Sequence, residues 1–238
     1  MRALTIIIIT MGWMFNASVS AKTLEYGATA CKEPGYHCVK IKRKDSWGTL
    51  FPDLDQRKLI VYANRYNGFL RKGLVLAVPD ELAKKSLADI SPLPQTIETN
   101  NERFILVDQK KMAWGAYNKF GKLLRWGPVS AGSEHCIESE NGCGTPAGTY
   151  RIRAKRGQHC ISKSLPVKIS GQQGGGYMPY CMFFHKGYAL HGSNDLPGYN
   201  ASHGCVRMLN EDAQWLNKIF TNIPGKNSKG TKVVIKSV

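Results

Sequence analysis

Hydrophobic and polar positions alternate in several distinct ways along this 238-residue chain. An apolar stretch from Ala3 to Phe15 follows a single Arg2, and no later stretch is as long or as apolar. In "YHCVKIKRKDSWGTLF", Val39 and Ile41 alternate with Lys40 and Lys42, the period of a half-exposed strand. "DLDQRKLIVYANRYN" spaces Leu59, Ile60 and Ala63 for one face of a helix, and "GLVLAVP" reads as a second short strand stopped by Pro79. Between Asp80 and Glu102 the pattern dissolves. "SPLPQT" disfavours both helix and central strand, so residues 81–102 read as a linker after a short helical tail.

From Arg103 onward the pattern predicts a mainly β region. "FILVD" suits a buried strand, and "KMAWGAYNKFGKLLRWGPVSAG" reads as two strands joined by the turn "NKFG". In "TPAGTYRIRAK", Tyr150, Ile152 and Ala154 alternate with Arg151, Arg153 and Lys155, which predicts one strand. "GYALHG" and "TKVVIKSV" add two more. One helix is expected in "LNEDAQWLNKIF": Asn210 caps it, Glu211 and Asp212 sit at the positive end of its dipole, and Leu216, Ile219 and Phe220 form its inner face.

The opening apolar stretch changes the picture of where the protein works. Arg2, the short apolar run and the small residues Val19-Ser20-Ala21 together read as a signal peptide over residues 1–21, with the mature chain starting at Lys22. The run is short for a bilayer span, which needs about 20 residues, so an uncleaved anchor is the weaker alternative. No cysteine follows where a lipoprotein would carry one. The expectation is a periplasmic or secreted protein without stable membrane insertion after cleavage.

The net charge is +16, from 33 Lys and Arg against 17 Asp and Glu. Such a charge favours anionic surroundings. It is spread along the chain rather than gathered into a stripe, which argues against nucleic acid and suits a polyanionic cell envelope.

Seven cysteines in an exported chain make disulfides the default expectation. Spacing suggests Cys31 with Cys38, Cys136 with Cys143, and Cys160 with Cys181, although six cysteines allow 15 connectivities. Cys205 is left over, inside "GYNASHGCVRM". An imidazole or a helix N-terminus stabilises a thiolate, and Cys205 has His203 two residues away, His191 fourteen away, and the Asn210 helix just downstream. His191, at the end of the "YALHG" strand, is the better placed base. His203 belongs to the turn and shapes the site. Gly204 permits close backbone approach, with its amide free to point at a ligand, and consecutive amides there could bind an oxyanion. The bland reading is a buried thiol beside a satisfied histidine. A zinc site of His191, His203 and Cys205 is weaker, since no carboxylate at metalloenzyme spacing accompanies them. His135 and His159 read as exposed loop residues.

"HG…SHGCVRM" resembles the signature of the L,D-transpeptidase (YkuD-type) catalytic domain. The resemblance extends to the hairpin beginning "FILVD", to "GTPAGTYRIRAK" and to "GYMPYCMFFHKGYALHG", and so covers residues 103–238. It implies a β-sandwich-like domain acting on peptidoglycan stem peptides. It makes Cys205 the nucleophile, His191 the general base and the Gly192 carbonyl the group that orients the imidazole. His203, with the Gly204 and Cys205 amides, would line the oxyanion site, while Ser202, Arg207 and Tyr180 would contact substrate. The implied reaction releases D-Ala from a tetrapeptide stem and forms a 3→3 cross-link. With water as acceptor the same site would be an L,D-carboxypeptidase, and with a protein amine an anchoring enzyme. No cofactor or metal is implied. A non-catalytic wall-binding protein is the remaining alternative, and a thiol-reducing partner for Cys205 is a further expectation. The inserted cysteine segments depart from simpler relatives and suggest a stapled lid over the cleft. Residues 31–80 resemble, more weakly, a small α/β LysM module that binds glycan.

Overall fold

The computed structural model describes residues 25–133, 143–162, 168–169, 172–173 and 176–238. The expected signal peptide and Cys136 lie outside these residues. The N-terminal part is a short helix α1 (Tyr26–Ala30), a strand β1 (Tyr36–Lys40), a one-turn helix α2 (Trp47–Leu50), a helix α3 (Leu54–Asn64) and a strand β2 (Val75–Pro79). β1 and β2 pair antiparallel, Tyr36 opposite Pro79. Ser46 and Thr49 form a capping box at α2, and the Asp53 side chain caps α3 through the Gln56 amide. The expected Cys31–Cys38 disulfide is formed ahead of and within β1.

The strands that follow are β3 (Phe104–Asp108), β4 (Ala113–Tyr117), β5 (Leu123–Ser130), β6 (Gly148–Arg151), β7 (Ala154–Lys155), β8 (Lys168–Ile169), β9 (Gln172–Gln173), β10 (Met182–His185), β11 (Tyr188–Gly192), β12 (Val206–Met208), β13 (Pro224–Gly225), β14 (Ser228–Lys229) and β15 (Lys232–Lys236). Nine of them form one sheet in the order β6-β15-β3-β4-β5-β12-β11-β10-β7. Its two edge strands, β6 and β7, are consecutive in the chain, with only Ile152 and Arg153 between them. The sheet therefore curls until its edges meet. Ile152 N–H donates to Thr231 O beside β15, and Arg153 N–H to Phe183 O of β10. The alternation that predicted a single strand is thus divided between both edges of the sheet.

Inside the curl, Ile105, Val107, Trp114, Phe184, Leu190, Val206, Met208, Leu216 and Phe220 form the main core. Phe104, Leu106, Ala113 and Tyr117 point the other way and pack with Leu59, Tyr62 and Ala63 of α3. Both faces of β3 are covered, which is why "FILVD" is apolar without alternation.

The segment expected to be a linker contributes to this second cluster. Ile90 and Leu93 are buried in it, Tyr117 Oη donates to Pro94 O, Trp126 Nε1 to Leu87 O, and Leu123 N–H to Gln95 O. Leu93 closes so tightly that a Cβ on Gly115 would lie 2.7 Å from its Cδ1. Proline and polar residues removed the periodic signal, but the apolar side chains between them still found a surface to bury.

The helix α4 (Asn210–Trp215) continues as a π-helical turn, Leu216–Phe220. Two expectations about it are corrected. Its cap is Leu209, which makes no side-chain hydrogen bond, and Asn210 is the first helical residue, bonded through Nδ2 to Asn194 Oδ1 at 2.7 Å. Ile219 is exposed, while Leu216, Asn217 and Phe220 are buried. The Thr221 N–H bond to Leu216 O, five residues back, widens the turn and shifts the inward phase.

Candidate active site

Parallel pairing of β11 with β12 places Leu190 beside Val206 and His191 beside Arg207. Leu190, Val206 and Met208 fill the core. By strand alternation Cys205, Arg207, Ala189 and His191 therefore share the opposite face. That face opens into a cleft of about 560 Å³ lined by Cys205, His191, Arg207, His203, Tyr188 and Tyr177, among others.

His191 is 6% exposed, and its Nδ1 lies 2.8 Å from Gly192 O. A carbonyl only accepts, so Nδ1 carries the proton and Nε2 is left with a lone pair. Burial pushes the imidazole pKa down to about 4; the Gly192 carbonyl opposes the shift and Arg207 adds to it. The ring is therefore neutral at physiological pH. Gly192 has no room for a side chain, because an added Cβ would lie 3.1 Å from both Pro179 Cγ and Asn210 Cα.

Cys205 is the free cysteine among the described residues. Its sulfur faces Gly187 O at 3.9 Å. Burial pushes its pKa up, against a backbone hydrogen bond from Ala189 and the charge of Arg207. The expected help from a helix N-terminus is not available. All of β12 and Leu209 separate the cysteine from α4, about 13 Å of extended chain at 3.3 Å per residue. A helix dipole fades within its first turn.

The turn that carries Cys205 is braced from below. Ser202 is buried, its hydroxyl donates to Cys205 O, and it accepts from Gly204 N–H at 3.0 Å. Ser202 thus holds the turn rather than presenting a free hydroxyl to substrate. The same bond occupies the Gly204 amide that was expected to point at a ligand. Gly204 has φ +113°, and a Cβ there would lie 2.5 Å from Tyr188 Cε1. Thr145 adds a second brace: its Oγ1 accepts from Gly132 N–H at 2.9 Å and donates to Gly204 O at 2.7 Å.

Other expected residues are placed as follows. Arg207 Nη1 pairs with Asp195 Oδ2 at 2.5 Å, and His203 lines the cleft. Tyr180 does not. It has φ +57° and packs against the main core, with Lys218 Nζ 5.7 Å from its ring, while Tyr177 enters the cleft instead. The left-handed turn at Tyr180 reverses the direction its position in "MPY" suggested. Cys160 and Cys181 are joined, and Cys143 is disulfide-bonded. The Cys160–Cys181 bridge packs with Met178, Ala189 and Cys205. Ile161 and Tyr177, just inside it, form a bridge at the cleft wall.

Thr145 and Asp195 were not singled out in the sequence. The strand pattern and the resemblance of "GTPAGTYRIRAK" carried no role for Thr145, and a lone Asp in "SNDLPG" carries no signal of a distant Arg. Among the described residues no group of three His, Cys, Asp or Glu is arranged to hold a metal ion. No helix among them is long and apolar enough to cross a membrane.

Comparison with known proteins gives the family. The family model of the YkuD L,D-transpeptidase catalytic domain matches residues 102–235, more than half of the chain. An L,D-transpeptidase from Xylanimonas cellulosilytica is similar in structure at 25% identity, covering 75% of this chain and 79% of that one, with a TM-score of 0.52. Another, from Stackebrandtia nassauensis, is 22% identical, covers 65% and 62%, and has a TM-score of 0.44. No curated protein matches the sequence. The chain belongs to the YkuD family. It is an L,D-transpeptidase, of the class of enzymes that cross-link peptidoglycan.

Proposed function

We propose that this L,D-transpeptidase is exported to the periplasm or cell surface and acts on tetrapeptide stems through a thioester on Cys205. The observation that carries the reading is the His191 Nδ1–Gly192 O hydrogen bond, which leaves Nε2 as a proton acceptor on the face that also bears the thiol. The thiol is not pre-ionised, since burial raises its pKa while the imidazole stays neutral. Nε2 therefore removes the proton as the sulfur attacks, in general-base fashion.

The sulfur adds to the carbonyl of the L-centre of diaminopimelate at stem position 3. The bond to the terminal D-Ala breaks, and its amine leaves with the proton held by His191. An amine of a second stem then attacks the thioester, giving a 3→3 cross-link and regenerating the thiol. Arg207, on the same face, is the cation for a carboxylate of the stem, and the aromatic rings of Tyr177 and Tyr188 wall the cleft. The chain's excess positive charge suits an anionic wall. Disulfides support an oxidising compartment. In that setting a reducing partner would keep Cys205 active. The order β1-α2-α3-β2, with its antiparallel pair, supports reading residues 31–80 as a LysM-like module that contacts glycan.

Incubation with disaccharide-tetrapeptides and mass spectrometry, beside Cys205→Ala, tests the reaction. The expected product is a dimer formed with loss of one alanine, absent in the variant. Disaccharide-tripeptide alone would reassign the enzyme as an L,D-carboxypeptidase. No turnover and no adduct on Cys205 would remove the catalytic reading.

A further inference from the structure

Asn67 lies just beyond α3, far in sequence from the cleft, yet it makes three hydrogen bonds to the segment that follows His191 and Gly192. Its Oδ1 accepts from Leu196 N–H at 2.8 Å. Its own N–H donates to Leu196 O at 3.1 Å, and Nδ2 donates to Ser193 O at 3.5 Å. Its neighbour Tyr66 forms an antiparallel bridge with Pro197. The far end of the same segment is held as well, since Tyr26 N–H donates to Gly198 O at 2.7 Å. Residues 193–198 are thus gripped along their length by the N-terminal region.

What that segment carries is Asp195, and Asp195 is the ion-pair partner of Arg207 at 2.5 Å. Arg207 is mostly covered, but the Asp195 side chain is 70% exposed. An exposed ion pair contributes little and by itself holds two flexible side chains loosely. The fixed element is therefore the backbone beneath Asp195, and Asn67 holds it from both sides: Ser193 on one flank, Leu196 on the other. A guanidinium has five N–H donors in a rigid fork. Fixing one edge on Asp195 sets the direction in which the remaining donors face the cleft beside Cys205 and His191.

We infer that Asn67 is a positioning residue for substrate binding: it holds residues 193–198 so that Asp195 aims Arg207 at a carboxylate of the stem peptide. This makes the N-terminal region part of the binding cleft's framework. The inference rests on the proposed reading of Arg207 as the residue that holds that carboxylate.

The test uses the full mature chain and disaccharide-tetrapeptide. Asn67→Ala should raise KM about tenfold, as loss of one charge-assisted contact does, with kcat changed less than about twofold. Alkylation of Cys205 by iodoacetamide should keep its wild-type rate, since the thiol and His191 are untouched. Asp195→Ala should raise KM similarly, and the double variant should be no worse than either single one, because both act through Arg207. Asn67→Asp, which keeps the acceptor for Leu196 N–H and loses the donor to Ser193 O, should fall between. An unchanged KM in a folded Asn67→Ala protein, or additive effects in the double variant, overturns the inference. So does a loss confined to kcat together with slower alkylation. If the wild type itself fails to turn over, the transpeptidation reading fails separately, and hydrogen exchange still examines the grip. The Leu196 amide should then exchange slowly in the wild type and quickly in Asn67→Ala, and equal rates would overturn it.

Discussion

The phenol of Tyr62 lies 3.2 Å from both carboxylate oxygens of Asp212, joining α3 of the N-terminal region to the first turn of α4. Arg125 approaches the same carboxylate through Nε at 3.1 Å and Nη2 at 2.6 Å. Both Tyr62 and Asp212 are fully buried. Tyr62→Phe keeps the ring's packing on Trp126 and removes only the hydroxyl, so the expected loss is about 1–2 kcal/mol in urea unfolding. A variant as stable as the wild type would mean that Arg125 alone satisfies Asp212.

Two buried groups should bend stability with pH in opposite directions. Burial pushes His191 down to about 4 from 6.5. Between those values the unfolded chain binds a proton that the folded chain does not, so this group makes stability rise with pH. Burial pushes Asp212 up to about 6 from 3.8 in spite of Arg125. There the folded chain holds the extra proton, so this group's contribution is present at low pH and lost as pH rises through 6. Each amounts to about 3 kcal/mol across its window, and in the wild type they nearly cancel. Urea unfolding at intervals from pH 4.5 to 6.5 should give a shallow profile. Asp212→Asn should expose the rising slope and His191→Gln the falling one. Identical slopes in all three proteins would refute both assignments.

On the proposed mechanism, the same depressed imidazole sets the pH profile of catalysis. A free histidine would lose its basic form below about pH 6.5. Here Nε2 stays unprotonated down to about 4, so kcat/KM on disaccharide-tetrapeptide should hold level from pH 7 to 5. Because burial raises the Cys205 pKa, alkylation by iodoacetamide should keep increasing beyond pH 9. A thiol that alkylates at its full rate by pH 6 would instead indicate a preformed thiolate–imidazolium pair.

Thr145 offers a test of the bracing beneath Cys205. Thr145→Val preserves shape but removes the acceptor of Gly132 N–H and the donor to Gly204 O. Two buried backbone groups lose partners, an expected cost of about 2–4 kcal/mol in stability. Activity should fall further than stability alone explains, because the turn bearing Cys205 loses its fixed position. Thr145→Ser, which retains the hydroxyl, should restore most of both. A larger loss in Thr145→Ser than in Thr145→Val would instead assign the effect to packing of the methyl group, which Val keeps.

How much of this was legible in the sequence follows from the range of the interactions. The pairing of Cys31 with Cys38 and of Cys160 with Cys181, the buried run "FILVD" and the β4–β5 hairpin all depend on neighbours or on strong periodicity, and the structure contains them. The role of residues 81–102 was not legible. Leu93 and Ile90 reveal their burial only once α3 and the outer face of β3 and β4 are adjacent. Ile219 misled because one π-helical turn changes the phase, and no residue marks that turn in advance. In the candidate site, Cys205 and His191 were singled out by residue chemistry and local spacing, and both line the cleft. Ser202 and Gly204 were assigned outward roles that their mutual hydrogen bond redirects into the turn. Asp195 and Thr145 act through residues 12 and 59 positions away, beyond any spacing rule.

Tyr177 and Tyr180 separate a motif's position from its geometry. Position in "MPY" suggested Tyr180 as a substrate contact, but its left-handed backbone and its packing against the main core give it a structural role. Tyr177 is 52% exposed and lines the cleft with Cys205 and His191. Tyr180→Ala should therefore lower stability by about 2–4 kcal/mol, a partly buried aromatic being removed, with KM changed little in the folded fraction. Tyr177→Ala should leave urea unfolding within about 0.5 kcal/mol of the wild type, as surface substitutions do. It should raise KM for the stem peptide severalfold, because a ring that walls the cleft has gone. Measuring both parameters for both variants decides the matter. If Tyr180→Ala proves stable with a raised KM, the cleft extends to the far side of the turn and Tyr180 reaches substrate after all.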